Sequence, residues 1–230
     1  MIDKRVNTVA EALAGVADGS TVLIGGFGSV GQPNALIEGL IEQGAKDLVV
    51  VSNNAGTGRT GLARLMELRR VRRIVCSFPR SAGSVVFEEL YRKGQIELEI
   101  VPQGTLAERI RAAGAGVGAF YTPTAYGTRL SQGKETRILH GRPHVLEYAL
   151  SADLALIEAW CADRWGNLTY RETGRNFNAV MATAAKRTVV QTTHFVELGA
   201  LDPEAIVTPG VHVHGIVQVP SELGMSRIPA

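Results

Sequence analysis

Three groups of residues in this sequence have the chemistry to bind and polarise a ligand. The loop Gly25–Gly31 contains four glycines, and two adjacent amides follow at Asn53 and Asn54. A third amide stands at Gln103. Backbone N–H groups of glycine loops and side-chain amides donate hydrogen bonds to carbonyl or phosphate oxygens. No histidine, cysteine or lysine belongs to this set, so it predicts a site that binds and polarises but has no evident nucleophile of its own.

The patterns around these residues predict alternating strands and helices. Strand patterns lie at 21–26, 47–56, 72–79 and 96–104. Helix patterns lie at 34–44, 60–70, 84–94 and 105–113. Such alternation is typical of an α/β fold that has a mostly parallel sheet with helices on both faces. Short strand patterns become more frequent after residue 119, so we expect mixed strands toward the C-terminus and a single domain over residues 1–230.

The candidate residues stand at the carboxyl ends of the predicted strands. The glycine loop ends the first strand, and Asn53 and Asn54 end the second. Ser77 ends the third strand, and Gln103 ends the fourth. Ligands of open parallel sheets bind outside the carboxyl ends of the strands. We therefore expect all four strand ends to face one crevice.

Composition and charge argue against several functional classes. A formal net charge of +2 gives no reason to expect nucleic acid or a membrane surface as a partner. The N-terminal segment lacks a signal-peptide pattern, and the longest charge-free stretch, 112–128, is rich in Gly, Thr and Pro. We therefore expect a cytoplasmic protein without a membrane span. Cys76 and Cys161 are too few for a disulfide framework, and His212 with His214 is too small a set for a metal site.

The glycine loop also matches the spacing of a dinucleotide-binding turn, Gly26-x-Gly28-x-x-Gly31. In that turn the third glycine lies in the following helix, and an acidic residue stands at the end of the second strand. Here Pro33 comes two residues after Gly31, which keeps that glycine in the loop. Asp47 opens the second strand instead of ending it. Two requirements fail, so we do not expect an NAD site.

Each candidate amide also has a structural alternative. Thr105 and Glu108 have the spacing of a capping box, so Gln103 could cap a helix that Thr105 begins. Asn53 and Asn54 could be turn residues, because asparagine is common in turns. The capping box also accounts for Glu108, which we therefore do not expect to be a nucleophile.

The longer motif at 18–33, DGSTVLIGGFGSVGQP, resembles the first signature of the family I coenzyme A-transferases, with every fixed position filled. Further motifs resemble the same family in the same order. They are SNNAG at 52–56, PQGTLAERIRAAGAG at 102–116, FYTPTAYGT at 120–128, DRWGNLTYR at 163–171 and GRNFN at 174–178. Together they cover nearly the whole chain and resemble the alpha subunits of 3-oxoacid CoA-transferases.

This resemblance implies a CoA-transferase-like fold and a ping-pong reaction that moves CoA between two carboxylic acids, commonly from succinyl-CoA to a 3-oxo acid. In the family, a glutamate in a Ser-Glu-Asn-Gly motif attacks the donor thioester, and an anhydride and then a glutamyl-CoA thioester form. The motif is absent from this sequence. The resemblance therefore implies a partner beta subunit that carries it, in a heterodimer or heterotetramer. It implies CoA thioesters as substrates and no permanently bound cofactor.

The resemblance also implies roles for the candidate residues. Gln103 corresponds to a glutamine whose amide donates to the thioester oxyanion, where negative charge develops in the transition state. Asn53 and Asn54 correspond to asparagines that orient the glutamate or the substrate carboxylate. The loop expected to contact the CoA thioester consists of Gly25, Gly26, Phe27, Gly28, Ser29, Val30 and Gly31.

Two features bear on the acceptor acid. CSFPR at 76–80 and Trp165 resemble the family members that use 3-oxoadipate more than those that use acetoacetate, so we expect 3-oxoadipate, with acetoacetate as the alternative. The second carboxylate of 3-oxoadipate would suit a cation, and Arg80 is a candidate. We expect Trp165 and Tyr126 to pack or to line the subunit interface. A ligand sensor of related fold is the alternative from another class, although the sequence shows neither a helix-turn-helix region nor the acid/base pair of an isomerase.

Overall fold

The computed structural model describes residues 2–81 and 83–220, so residues 221–230 of the predicted domain lie outside the described ranges. The strands are β1 (Arg5–Val6), β2 (Thr21–Ile24), β3 (Leu48–Val51), β4 (Val71–Cys76), β5 (Glu97–Ile100), β6 (Ala119–Thr122), β7 (Thr136–Leu139), β8 (Arg142–Tyr148), β9 (Ala152–Asp163), β10 (Leu168–Thr169), β11 (Ala185–Val196) and β12 (Gly215–Gln218). The α-helices are α1 (Val9–Ala12), α2 (Asn34–Gln43), α3 (Gly61–Glu67), α4 (Val85–Arg92), α5 (Gln103–Gly114) and α6 (Asn176–Met181). Short 3₁₀ turns are Arg129–Ser131, Glu172–Arg175, Pro203–Ala205 and Gly210–His212.

In the part of the chain that the structure describes, nine strands form one large sheet. Its order is β1-β12-β11-β9-β2-β3-β4-β5, and β10 pairs with β9 beside this path. Every pairing is parallel except that of β10 with β9. Parallel neighbours need crossover connections, which helices α2, α3 and α4 provide between β2 and β5. The mostly parallel α/β sheet predicted from the sequence is therefore confirmed.

Helices cover both faces of this sheet, as the sequence predicted. Side chains alternate between the two faces of a strand. Val22 and Ile24 of β2 belong to a core that includes residues of α1, α2, α3 and α4. Leu23 belongs to a second core that includes residues of α5 and α6. Burial on both faces explains why the central strands read as continuous apolar runs in the sequence.

The strand order reverses at β2. From β2 the chain proceeds through β3, β4 and β5 on one side, whereas β9, β11 and β12 lie on the other side. In open α/β sheets, ligands bind outside the carboxyl ends of the strands at this kind of switch point. The glycine loop leaves β2 at this point, so the topology favours the position predicted for the site.

A second sheet is antiparallel and has the order β6-β8-β7. The mixed strands predicted from the sequence are therefore present, but this sheet lies in the middle of the chain. The last two strands, β11 and β12, run parallel to each other. Strands β6 and β7 are half-buried or exposed along their length, so no buried apolar run marks them in the sequence.

Buried charges attach the small sheet to α5. Glu147 of β8 is 3% exposed, and its carboxylate accepts a hydrogen bond from Lys134 Nζ at 2.5 Å. Arg109 of α5 places Nε 4.0 Å from Glu147 and donates from Nη1 to Glu99 at 2.8 Å. A buried charge is tolerated when it is paired and hydrogen-bonded. The contact of Arg109 with Glu147, together with the hydrogen bond from Arg109 Nε to Tyr148 O at 2.8 Å, therefore connects the small sheet to α5.

The start of α5 differs from the sequence prediction. The helix begins at Gln103, and Pro102 occupies its N-cap position. Proline has no N–H to satisfy and its φ angle suits the entry to a helix, so the helix can start directly after it. Thr105 is buried within the first turn, so the capping box with Glu108 is wrong. Glu108 instead forms an ion pair with Arg111 one turn later.

Candidate active site

The glycine loop turns back on itself directly after β2. Phe27 N donates to Val30 O at 3.0 Å, and Val30 N donates to Phe27 O at 3.1 Å, which closes a tight hairpin. Gly28 lies at its tip with a φ of 61°, in the left-handed region that favours glycine. Only the tip of the loop is accessible to a ligand. The tip residues Phe27, Gly28 and Ser29 are exposed, whereas Gly25, Gly26 and Gly31 in the rest of the loop are buried.

Asn54 attaches the hairpin tip to the end of β3. Its Nδ2 donates to Gly28 O at 3.3 Å, and its Oδ1 accepts from Gly56 N at 2.8 Å. The residue is 5% exposed, so water competes little for these bonds. Asn54 is therefore a turn residue, as one alternative expected, and it also holds the glycine loop.

Asn53 connects the ends of β3, β4 and β5. Its Nδ2 donates to Ser77 Oγ at 3.0 Å and to Gln103 Oε1 at 3.2 Å. Ser77 Oγ donates in turn to Asn53 O at 3.1 Å. Asn53 is 2% exposed, whereas Gln103 is exposed. The structure thus brings together Asn53, Ser77 and Gln103, which the sequence placed at three successive strand ends.

The two ends of the Gln103 amide differ in their protein partners. Its Oε1 is occupied by Asn53, and within the described part of the chain its Nε2 donates to no protein acceptor. Gln103 does not cap a helix begun by Thr105, because it is itself the first residue of α5. The N-cap Pro102 makes no side-chain hydrogen bond, so the first-turn N–H groups of α5 also lie uncapped beside it.

Gln103 and Phe27 line one open cleft of about 280 Å³. Its other lining residues are Gly104, Ala107, Asn176, Phe177 and Val180. A second open cleft, of about 430 Å³, shares Gly104 and continues along α5 toward β6. The exposed ring of the loop tip, the glutamine amide and the apolar side of α6 therefore meet in one place.

Three potential nucleophiles near these elements are occupied or buried. Glu158 of β9 is 5% exposed, and its Oε2 accepts from Gln191 Nε2 at 2.6 Å. Glu108 pairs with Arg111 at 2.6 Å, and the hydrogen bond from that guanidinium lowers the pKa of Glu108. Burial raises the pKa of the Cys76 thiol to about 12. Glu158 and Cys76 are therefore buried, and Glu108 is held in a surface ion pair.

Two asparagines of the GRNFN motif, to which we assigned no role from the sequence, bind the glycine loop. Asn176 accepts from Gly26 N at 3.2 Å and donates to Val30 O at 3.0 Å. Asn178 donates to Gly31 O at 2.9 Å. The GRNFN motif itself was the feature of the sequence that could have pointed to this role. Because Asn176 and Gly26 are 150 residues apart in the chain, no local pattern links them.

Three residues expected to affect substrate choice or assembly lie outside both clefts. Arg80 has a side chain that is 74% exposed, and its Nε donates to Glu88 at 2.9 Å. Trp165 and Tyr126 are 44% and 47% exposed, so neither packs into the core of this chain. Their proposed roles at an interface or toward a second carboxylate stay predictions.

The geometry does not support a dinucleotide turn. Gly31 lies in the loop, Pro33 precedes α2, and Asp47 precedes β3, as the sequence indicated. The acidic residue therefore lies at the opposite end of β3 from the position that contacts a ribose.

The two histidines considered for a metal do not share a strand. His212 ends a 3₁₀ turn, and His214 Nδ1 accepts from Thr188 N at 3.0 Å. Residues 2–81 and 83–220 contain no cluster of three or more His, Cys, Asp or Glu side chains placed to hold a metal ion. In the same two ranges, no helix has the length and apolar character needed to cross a membrane.

Comparison with known structures supports the fold. The crystal structure of an acyl-CoA transferase from Escherichia coli O157:H7 superposes with a TM-score of 0.87 at 21% identity. The match covers 99% of this chain and 49% of that one, so this chain spans about half the length of the E. coli protein.

Comparison with known sequences identifies the family. The chain is 58% identical over 219 residues to the A-type subunit of 3-oxoadipate CoA-transferase from Pseudomonas putida, which covers 95% of each chain. It is 48% identical to the A-type subunit of succinyl-CoA:3-ketoacid coenzyme A transferase from Xanthomonas campestris pv. campestris, over 93% of this chain and 88% of that protein. Residues 6–219 match the family described as coenzyme A transferase. The chain therefore belongs to the coenzyme A transferase family.

Proposed function

We propose that this chain is the alpha subunit of a 3-oxoacid CoA-transferase and that, with a beta subunit, it moves CoA from succinyl-CoA to 3-oxoadipate. The 58% identity to the A-type subunit of a 3-oxoadipate CoA-transferase supports both the kind of subunit and the acceptor. The proposal includes one domain over residues 1–230, CoA thioesters as substrates and no permanently bound cofactor. It includes a cytoplasmic location, since the free thiols Cys76 and Cys161 suit a reducing compartment.

One observation carries the proposal of a split site. The amide of Gln103 lies in the same cleft as the exposed tip of the glycine loop, and Asn53 holds its oxygen so that the nitrogen remains a donor. Three carboxylates near these elements, Glu158, Glu108 and Glu172, already have partners within the chain. The chain thus supplies donors for an oxyanion, and a partner must supply the nucleophile.

The reaction then proceeds by acyl exchange on a glutamate of the beta subunit. This carboxylate attacks the carbonyl of succinyl-CoA, and the oxyanion accepts a hydrogen bond from Gln103 Nε2. Collapse of the oxyanion expels CoA thiolate and leaves a succinyl-glutamyl anhydride. The thiolate attacks the glutamyl carbonyl of the anhydride, which releases succinate and forms glutamyl-CoA. The acceptor carboxylate repeats these steps in reverse, so the glutamate is regenerated and the acceptor leaves as its CoA thioester.

The other residues of this chain position the groups that react. Asn53 fixes the direction of the Gln103 amide, and Asn54 fixes the loop tip through Gly28 O. The exposed N–H groups of the tip then contact the thioester. A donor held in place before the reaction stabilises the developing charge without reorganisation, and one such donor lowers the barrier by about 3 kcal/mol.

A second acceptor is supported by a specific relative. The Xanthomonas protein that is 48% identical is named as part of a succinyl-CoA:3-ketoacid coenzyme A transferase, so acetoacetate is the alternative acid. Arg80 is the proposed contact for the second carboxylate of 3-oxoadipate, and its exposed side chain can exchange Glu88 for a ligand. Arg80→Met should then lower kcat/KM for 3-oxoadipate more than for acetoacetate. Equal losses for the two acids would remove this role.

The decisive experiment compares the chain alone with the chain co-purified with its beta subunit. Succinyl-CoA is the donor, and 3-oxoadipate and acetoacetate are tested as acceptors. We expect transfer only by the pair, a higher kcat/KM for 3-oxoadipate, and a glutamyl-CoA adduct on the beta subunit by mass spectrometry. Transfer by the chain alone would contradict the split site and would direct attention to Glu158. An intact pair that is inactive with both acids would favour the ligand-sensor alternative.

A further inference from the structure

Asn176 bridges the two sides of the hairpin at its base. Its Oδ1 accepts from Gly26 N at 3.2 Å, and its Nδ2 donates to Val30 O at 3.0 Å. Further bonds to Thr173 O at 2.8 Å and from Phe177 N at 2.7 Å fix the amide itself. Asn176 lines the cleft, but both ends of its amide are occupied by backbone groups. It therefore acts on the loop and not on a ligand.

Asn178 fixes the next residue of the loop. It is fully buried, and its Nδ2 donates to Gly31 O and to Gly174 O, each at 2.9 Å. Its Oδ1 accepts from Glu158 N at 2.9 Å, which connects the loop to β9. A buried amide whose donors and acceptor are all satisfied has one favoured orientation. Gly31 is thereby held to the strand next to β2.

The two asparagines also explain two of the glycines. A Cβ atom on Gly25 would lie 1.9 Å from Asn178 Oδ1. A Cβ atom on Gly31 would lie 2.8 Å from Asn178 Nδ2 and 3.0 Å from Asn176 Nδ2. By contrast, a Cβ atom on Gly28 would meet nothing within 4 Å. Asn178 therefore excludes a side chain at Gly25, and the asparagines together with Gly174 O exclude one at Gly31, whereas the position at Gly28 is open.

The hydrogen bonds of Asn178 extend through Glu158 and Gln191 to α2, the helix that follows the loop. Asn178 is bonded to Glu158 N, and the carboxylate of Glu158 is bonded to Gln191 Nε2 at 2.6 Å. Gln191 Oε1 accepts from Leu36 N at 3.3 Å, in the first turn of α2. This helix has no side-chain N-cap bond of its own. Both the base of the hairpin and the exit from the loop are thus held by side-chain amides.

We infer that Asn176 and Asn178 are positioning residues that hold the glycine-loop tip in its place opposite Gln103. The inference rests on the proposed function, because the tip must be fixed for its N–H groups to meet the thioester. Fixing a donor before the reaction raises kcat, since the enzyme then spends no free energy on ordering it in the transition state. Neither asparagine needs to touch the substrate.

Variants of Asn176 test this role in the intact complex with the beta subunit. Asn178 is fully buried and its removal could prevent folding, whereas Asn176 is only half-buried. Asn176→Ala removes the whole bridge. Asn176→Asp keeps the acceptor for Gly26 N and turns the donor to Val30 O into a second acceptor. Gln43→Ala is the control, because Gln43 also joins two backbone groups, Val16 O and Ala45 N, at the opposite edge of the sheet.

Hydrogen exchange and steady-state kinetics are measured on each complex. Asn176→Ala should speed exchange of the peptide covering residues 25–33 at least tenfold and lower kcat at least tenfold, with a KM change under threefold. Asn176→Asp should not rescue either quantity, and Gln43→Ala should leave both unchanged at a similar melting temperature. Unchanged loop exchange in Asn176→Ala, or an equal kcat loss in Gln43→Ala, would overturn the inference. A wild-type complex without transfer activity would refute the proposed function alone, because the exchange data still test the bridge.

Discussion

Two substitutions of Gln103 distinguish catalysis from structural support. Toward residues 2–81 and 83–220, its side chain makes one hydrogen bond, in which Oε1 accepts from Asn53 Nδ2 at 3.2 Å. Gln103→Glu keeps this acceptor and removes the Nε2 donor. Gln103→Ala removes both. If the side chain serves only to hold Asn53, Gln103→Glu should keep its kcat and Gln103→Ala should lose it. If the side chain donates to an oxyanion, kcat should fall in both variants.

The structure sets the expected magnitudes. Loss of one oxyanion donor costs about 3 kcal/mol, so kcat should fall about 100- to 1,000-fold in both variants. Gln103 is exposed, and Asn53 retains its bond to Ser77 Oγ at 3.0 Å. Loss of a single hydrogen bond therefore lowers the free energy of unfolding of Gln103→Ala by about 1 kcal/mol. The loss of kcat should thus far exceed the loss of stability.

The assay is steady-state transfer from succinyl-CoA to 3-oxoadipate by the complex with the beta subunit, alongside thermal unfolding. Gln43→Glu is the matched control, because it makes the same chemical change at the far end of α2, where Gln43 Oε1 accepts from Ala45 N. Its kcat should stay within twofold of wild type. A kcat for Gln103→Glu within threefold of wild type would refute the oxyanion role and leave Gln103 as a support for Asn53.

Three further perturbations have defined outcomes. Glu147→Ala removes the buried carboxylate that pairs with Lys134 and Arg109. Urea denaturation should therefore show a loss of about 3 kcal/mol in the free energy of unfolding. Burial raises the pKa of Glu99, but the hydrogen bond and charge of Arg109 lower it overall, below its ordinary value of 4.5. Wild type should therefore have a higher free energy of unfolding than Glu99→Gln, and this difference should be largest above pH 4.5. It should disappear as the pH falls through the lower pKa of Glu99 in the folded protein. Burial raises the pKa of Cys76 to about 12 and also raises that of Cys161, so a thiol-specific disulfide reagent should label neither in the folded protein and both after unfolding.

Each of these outcomes has a control or a contradicting result. Lys186 pairs with Asp153 on the surface, where its side chain is 82% exposed, so Lys186→Ala should change the unfolding free energy by less than about 1 kcal/mol. An equally small effect for Glu147→Ala would show that the buried ion pairs do not hold the small sheet. A stability difference for Glu99→Gln that is independent of pH would contradict the lowered pKa. Labelling of either cysteine in the folded protein would contradict its burial.

The large sheet and the position of the site could be predicted from the sequence because both depend on local patterns. Apolar runs such as Val22–Ile24 are buried on both faces, and polar residues at their ends mark the carboxyl edge. The resemblance of the motifs to a known family supplied what these patterns cannot, namely the reaction and the need for a partner. Mixed strands were expected after residue 119, but their arrangement as a separate antiparallel sheet was not, because β6 and β7 carry no buried apolar run.

Contacts between distant segments could not be predicted. The capping box at Thr105 had the right spacing, but Pro102 starts α5 earlier and leaves Thr105 inside the first turn. The bond between Asn53 and Gln103 spans 50 residues, and no local pattern carries it. The hydrogen-bond partner of Glu158 could not be predicted either, because its bond to Gln191 depends on the pairing of β9 with β11. Side-chain partners follow from topology, which local periodicity specifies only in part.

The glycine motif was ambiguous for a physical reason that the structure makes clear. In a G-x-G-x-x-G dinucleotide turn the second glycine is the one that lets the ligand approach the backbone, and Gly28, at that position here, also faces open space. Gly31 is excluded from carrying a side chain by Asn176 and Asn178, which lie in a motif far along the chain. A dinucleotide site would need its third glycine against the strand within the following helix. The hydrogen bonds between this loop and the GRNFN motif, and not the glycine spacing alone, therefore distinguish this loop from a dinucleotide turn.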